Sequence, residues 1–228
     1  AGDYAEVVSL SSDGTIVAIG AFSNDDNGDN SGHVRIYAWN GTAWVQRGTD
    51  IDGEAAGDRA GRTVSLSSDG TIVAIGSDRH SNGGLRDGHV RVFTWNGTAW
   101  AQTGADIDAQ AAGEKAGYFL SLSGDGKVVA VGGGFGFFNH IYTWNGTAWI
   151  QTGENIYETD QEGKDLFNDY HFSVSLSSDG TIVAIGSWQN DGNGDNAGHV
   201  RVYTWNGTAW LQTGIDIDGE AAGDGSGT

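Results

Sequence analysis

"VSLSSDGTIVAIG" runs from Val64 to Gly76, and the same residues recur from Val8 to Gly20 and from Val174 to Gly186. A looser copy, "LSLSGDGKVVAVG", runs from Leu120 to Gly132. Each copy holds two short runs rich in β-branched and aliphatic residues around an Asp-Gly pair, which predicts two antiparallel strands joined by a tight turn. Further along every copy lies a second segment of the type "HVRVYTWNGTAW", ending on Trp44, Trp100, Trp149 and Trp210. Its Asn-Gly pair is a strong short-range hairpin signal and predicts two more strands. Self-similarity at a period of about 55 residues marks a repeat array.

The reading is therefore all-β: a β-propeller of four four-stranded blades, as a four-bladed ring or as four blades of a larger array. It forms one domain over 1–228, with approximate repeats 1–55, 56–111, 112–165 and 166–228. No stretch has sustained helical periodicity, and 39 glycines disfavour long helices.

A two-residue turn at Asn40-Gly41 would set Trp39 opposite Thr42, Ala38 opposite Ala43 and Tyr37 opposite Trp44. Alternation then collects Tyr37, Trp39 and Trp44 on one face and Ile36, Ala38, Ala43 and Val45 on the other. A sheet apolar on both faces must be covered on both, and large-against-small packing stacks blades around an axis. The tryptophans are expected to pack between blades; the alternative is that they are platforms for sugar rings.

The net charge of −19 excludes a phosphate-tracking surface, so neither DNA nor RNA is an expected partner. No apolar run is long enough to cross a membrane as a helix, and none is expected to insert. The chain has no cysteine, which removes disulfides, zinc ribbons and thiol nucleophiles. It has no methionine and starts at Ala1, which suggests a processed chain or a piece of a longer one.

The succession "DGEAAGDRAGRTVSLSSDGTIVAIGS", an acidic loop, then "GHVRVFTWNGTAW" resembles the FG-GAP repeat of integrin-like β-propellers, in its bacterial and algal extracellular versions. The resemblance covers essentially the whole chain and implies an extracellular or cell-surface location. This chain has Ala60-Gly61 and Ala116-Gly117 where that family has Phe-Gly. It has Gly20-Ala21-Phe22, Gly76-Ser77-Asp78 and Gly186-Ser187-Trp188 where the family has Gly-Ala-Pro. The family's calcium loop between the first two strands is shortened to "SSDG".

Candidate chemistry lies in the loops. "NDDNGDN" offers Asp25, Asp26, Asn27 and Asp29, and "NDGNGDN" offers Asp191, Asn193 and Asp195, as oxygen ligands for Ca2+; the alternative is a solvated turn. The "DIDGEAAGD" linkers read as strand ends. His33, His89 and His199 recur in "GHVR" and read as structural, with Arg35, Arg91 and Arg201 pairing to nearby carboxylates. Asn40, Asn96, Asn145 and Asn206 each open an Asn-Gly-Thr sequon, making four candidate glycosylation sites at hairpin tips. "VGGGFGFF" precedes no helix and fails the test for a nucleotide loop. No nucleophile, base and orienting acid form a motif, so an enzyme is not expected.

The third repeat replaces the acidic loop by "GGGFGFFNH", and Phe135, Phe137 and Phe138 are the candidate contact residues there; the alternative is that they cap the propeller core. Ala222-Gly223-Asp224 near the end duplicates Ala1-Gly2-Asp3, so each blade would be contiguous in sequence, which suits a four-bladed closed ring, a segment of a longer array, or head-to-tail association of chains. The functional expectation is a non-enzymatic extracellular structural or adhesive module that self-associates into an oligomer or filament. The alternative is a lectin-like, glycan-binding propeller.

Overall fold

The computed structural model describes residues 7–81, 86–134, 139–156, 171–188, 190–191 and 193–227. The first blade is a meander of β1 (Val7–Leu10), β2 (Ile16–Ala21), β3 (His33–Trp39) and β4 (Trp44–Gln46), with each strand antiparallel to the next. A short β5 (Ile51–Asp52) pairs with the start of β3, so the outer edge is made in two pieces. The "DID" linkers are thus strand ends, as expected. The next three sheets begin at Ala60, Phe119 and His171 and repeat the same strand order. No described helix is long and apolar enough to cross a membrane.

Both turns differ from expectation. Trp39 pairs with Trp44, Ala38 with Val45 and Tyr37 with Gln46, so every partner is two residues further along than a turn at Asn40-Gly41 would set. The cause is the Asn40 side chain. Its Oδ1 accepts hydrogen bonds from the N–H groups of Thr42 and Ala43 and from the Thr42 hydroxyl, each at 2.9 Å. Asn40 thereby holds the first position of the turn, and Gly41, at φ 98°, makes the reversal with Thr42. A shift of two residues preserves alternation, so Tyr37, Trp39 and Trp44 still share one face. The Asp-Gly connection is likewise wider than a two-residue turn. Asp13 Oδ1 accepts from Thr15 N and Ser11 Oγ, and the loop closes from Ser11 to Ile16.

The core lies between the sheets rather than inside any one of them. One cluster joins Ile16, Val34, Ile36 and Ile51 of the first blade to Val64, Leu66, Val73 and Phe93 of the second. Equivalent clusters join the second blade to the third and the third to the fourth. Polar bonds repeat with them: Leu66, Leu122 and Leu176 donate their N–H groups to Ser9, Ser65 and Ser121 of the preceding blade. Gly20 packs so tightly on the backbone of Gly61 that a Cβ there would sit 2.3 Å from its carbonyl oxygen.

Candidate interaction faces and side-chain clusters

At each of the three joints, the leading face of one blade meets the trailing face of the blade before it. The second tryptophan of the leading blade donates its indole N–H to a carbonyl oxygen: Trp100 to Arg47 at 2.7 Å, Trp149 to Thr103 at 2.9 Å, Trp210 to Thr152 at 2.9 Å. The two tryptophans of a hairpin lie against each other, with centroids 5.4 Å apart for Trp95 and Trp100, and close over a glycine of the preceding blade. A Cβ on Gly48 would meet Trp95 and Trp100, one on Gly104 would meet Trp144 and Trp149, and one on Gly153 would meet Trp205 and Trp210. Below them, Gly70 sits over Ile16, Gly126 over Ile72 and Gly180 over Val128. The tryptophans of these three joints pack between blades, as expected, and stay half-buried.

The ends of the arc carry the same faces uncovered. On the first blade Val8 and Leu10 are 68% and 57% exposed, whereas their counterparts Val64 and Leu66 are each 7% exposed. Trp39 and Trp44 are also exposed. On the fourth blade Ile217 is 59% exposed, whereas Ile51, Ile107 and Ile156 are buried. Gly214, the counterpart of Gly48, Gly104 and Gly153, has no heavy atom within 4 Å of its Cβ position. Among the described residues, nothing packs on these two faces as the blades do at the internal joints.

The acidic loops are shaped by their own hydrogen bonds. Asp25 Oδ1 accepts from Asn30 N at 2.8 Å, and Asp191 Oδ1 from Asn196 N at 2.7 Å. Asn27 and Asn193 donate across to the carbonyls of Gly53 and Gly219, each at 2.7 Å, tying loop to linker. Asp29 and Asp195 accept linker N–H groups from Gly57 and Gly223 through their backbone oxygens. Of the acidic side chains in the two loops, Asp26 enters a group able to hold a metal, with His33 and Asp50; Asp25, Asp29, Asp191 and Asp195 enter none among the described residues.

The recurrent histidines are buried at the start of the third strand, each beside a linker aspartate: His33 is 3.8 Å from Asp50 and His89 is 3.6 Å from Asp106. Their groupings with nearby carboxylates could hold a metal ion, as could Glu54, His80 and His89 together. Arg35 and Arg201 already occupy the carboxylates of Asp50 and Asp216 at 2.8 and 2.9 Å. Arg91 is turned instead toward Glu54, 3.6 Å away, and the Asp52 carbonyl. His89 stacks on His80 at 3.9 Å, and burial, followed by the charges of His80 and Arg91, pushes its pKa down to about 3.

Asn40, Asn96, Asn145 and Asn206 stand exposed at the hairpin tips, with their side-chain oxygens engaged by the turn in every copy. Phe135, Phe137 and Phe138 lie outside the described residues. Sequence reasoning missed a group of basic residues around the second blade: Arg59, Arg62, Arg79, Arg86 and Lys115. The available signal was the loop "HSNGGLRD", which stands where the first repeat has an acidic segment.

No family profile matches the chain, and no curated protein does. Solved structures do match its fold. Hydrazine synthase from Kuenenia stuttgartiensis is similar at a TM-score of 0.59 and 12% identity, over 93% of this chain and 48% of that one. TolB from Acinetobacter baumannii is similar at a TM-score of 0.53 and 15% identity, over 94% of this chain and 43% of that one. A putative 6-phosphogluconolactonase from Bacteroides uniformis gives 0.51 and 10%, over 96% and 73%. The chain thus spans less than half the length of the first two. With the four antiparallel sheets, these likenesses define the class: the chain is a β-propeller-type protein.

Proposed function

We propose that the chain is a non-enzymatic, extracellular structural module that joins copies of itself head to tail. The open leading face of one first blade would dock on the open trailing face of another copy's fourth blade. One observation carries this reading: the side-chain set buried at three internal joints is left exposed at the two ends. A second copy would bring Trp44 to the carbonyl of Thr213 and Gly14 over Ile182, the pairings that every internal joint makes. Such a contact is heterologous, and it gives a closed ring or an open filament according to the rotation per chain. The four exposed sequons and the resemblance to extracellular propellers support the location. Calcium in the first acidic loop would take the carboxylates of Asp26 and Asp50 as ligands and displace Arg35, which lies 3.9 and 2.8 Å from them.

Because Ile217 is exposed in the single chain, Ile217→Asp should leave the fold intact while blocking the joint. Size-exclusion chromatography with light scattering is expected to give oligomers for the unaltered chain and a single 23.8 kDa species for the variant, with matching circular dichroism. Oligomers of unchanged size in the variant would refute docking through this face.

A further inference from the structure

The chain has 30 acidic and 11 basic side chains, yet five of the basic ones gather at one place beside the second blade. Arg59, Arg79 and Arg86, with His80, line a cavity of about 400 Å3, and Asp29 and Asp58 complete its wall. Arg62 and Lys115 do not line it but lie close enough to interact electrostatically with the arginines that do. Asp58 is already engaged: it accepts the Ala55 N–H at 2.8 Å and lies 3.3 Å from His80. Arg79 Nε is buried and has no hydrogen-bond partner among the described residues. The Phe22 ring lies under both Arg59 and Arg62, at 5.3 and 5.2 Å, and Tyr118 lies 4.3 Å from Arg62. These stacking contacts hold the guanidinium groups in place.

Two of the cavity arginines stand at left-handed positions of the repeat. Arg59 and Arg86 adopt φ of 62° and 55°, a left-handed conformation that long side chains rarely take. The counterpart of Arg86 is Asn30 in the first blade and Asn196 in the fourth, residue types that tolerate it; the counterpart of Arg59 near the end of the chain is Gly225. Lys115, the counterpart of Arg59 in the third blade, has the same conformation at φ 57°, so at that position the repeat itself sets the backbone. The grouping is also repulsive: burial, then the neighbouring arginines, pull the Arg59 guanidinium below its ordinary pKa, and Lys115 is lowered likewise. Asp78, itself buried, is the carboxylate that faces them, and burial raises its pKa.

We propose that this cavity binds the oxyanion group of a small ligand: a phosphate, sulfate or carboxylate held by Arg59, Arg79 and Arg86. A guanidinium fork matches two oxygens of any of these groups, and a buried anion would relieve the crowding of cations. The site does not depend on the assembly reading, since it lies within one chain.

Arg86→Asn tests it, because asparagine already holds the same backbone conformation at positions 30 and 196. Calorimetric titration of the full chain with inorganic phosphate, sulfate and acetate, at constant ionic strength, should give saturable binding below about 20 mM for at least one anion. Arg86→Asn should weaken that binding at least about tenfold while melting at the same temperature or higher. Lys127→Gln, on an exposed turn of the third blade, should change neither property. Which anion binds separates a tetrahedral from a planar ligand group. Absence of saturable binding by all three anions would overturn the proposal. So would undiminished binding in Arg86→Asn, or a lower melting temperature with unchanged affinity, which would give Arg86 a purely structural role.

Discussion

His89 is fully buried at the joint-facing start of its strand, and in the folded chain its imidazole stays neutral down to about pH 3. In the unfolded chain it titrates near 6.5. Its folded pKa is therefore depressed, and the unfolded state binds the extra proton between those values. The penalty is absent above pH 6.5, grows as the pH falls and reaches about 5 kcal/mol near pH 3. Carboxylates add their own dependence at lower pH: Asp179, held by Ser177 and Thr181, is lowered to about 2, so its contribution is lost only as the pH falls below about 4. The informative quantity is thus the difference between the chain and His89→Gln. Denaturant melts at pH 7.5 and 4.5 are expected to show the variant gaining on the parent as the pH drops; a difference that stays constant would contradict a neutral buried His89.

At the scale of the strand and the joint, equivalent residues should have unequal worth. Ile107 is 4% exposed and clamped between the second and third blades, whereas its counterpart Ile217 is 59% exposed. Ile107→Ala should cost about 2–5 kcal/mol by leaving a cavity, and Ile217→Ala in the isolated chain within about 0.5 kcal/mol. Urea melts of dilute protein measure both, and equal losses would mean that the end face is covered within one chain. Much of this layer was legible beforehand. Alternation put Tyr37, Trp39 and Trp44 on one face, and a turn error of two residues could not disturb it. The register itself was not legible, because it turns on whether Asn40 Oδ1 or the backbone carbonyl closes the turn. Nor was the basic cavity: Arg59 stands before the first strand of the second blade and Arg79 and Arg86 in the loop between its second and third strands, and only the folding of that blade brings the two segments together.

For the whole molecule, two terms oppose each other when chains meet. Uncovered apolar surface at Val8, Leu10, Trp44 and Ile217 favours docking, at about 25 cal/mol per Å2 buried. A net charge of −19 on each copy opposes it over a distance that salt shortens to about 8 Å at physiological strength. Association should therefore strengthen with added sodium chloride. Sedimentation velocity of the unmodified chain, from about 1 to 100 μM and at low and high salt, tests this most directly. The expected result is a 23.8 kDa species at low concentration and low salt, giving way to larger species as either rises. A single species of that mass under every condition would contradict head-to-tail assembly and leave the two open faces without the partner assigned to them.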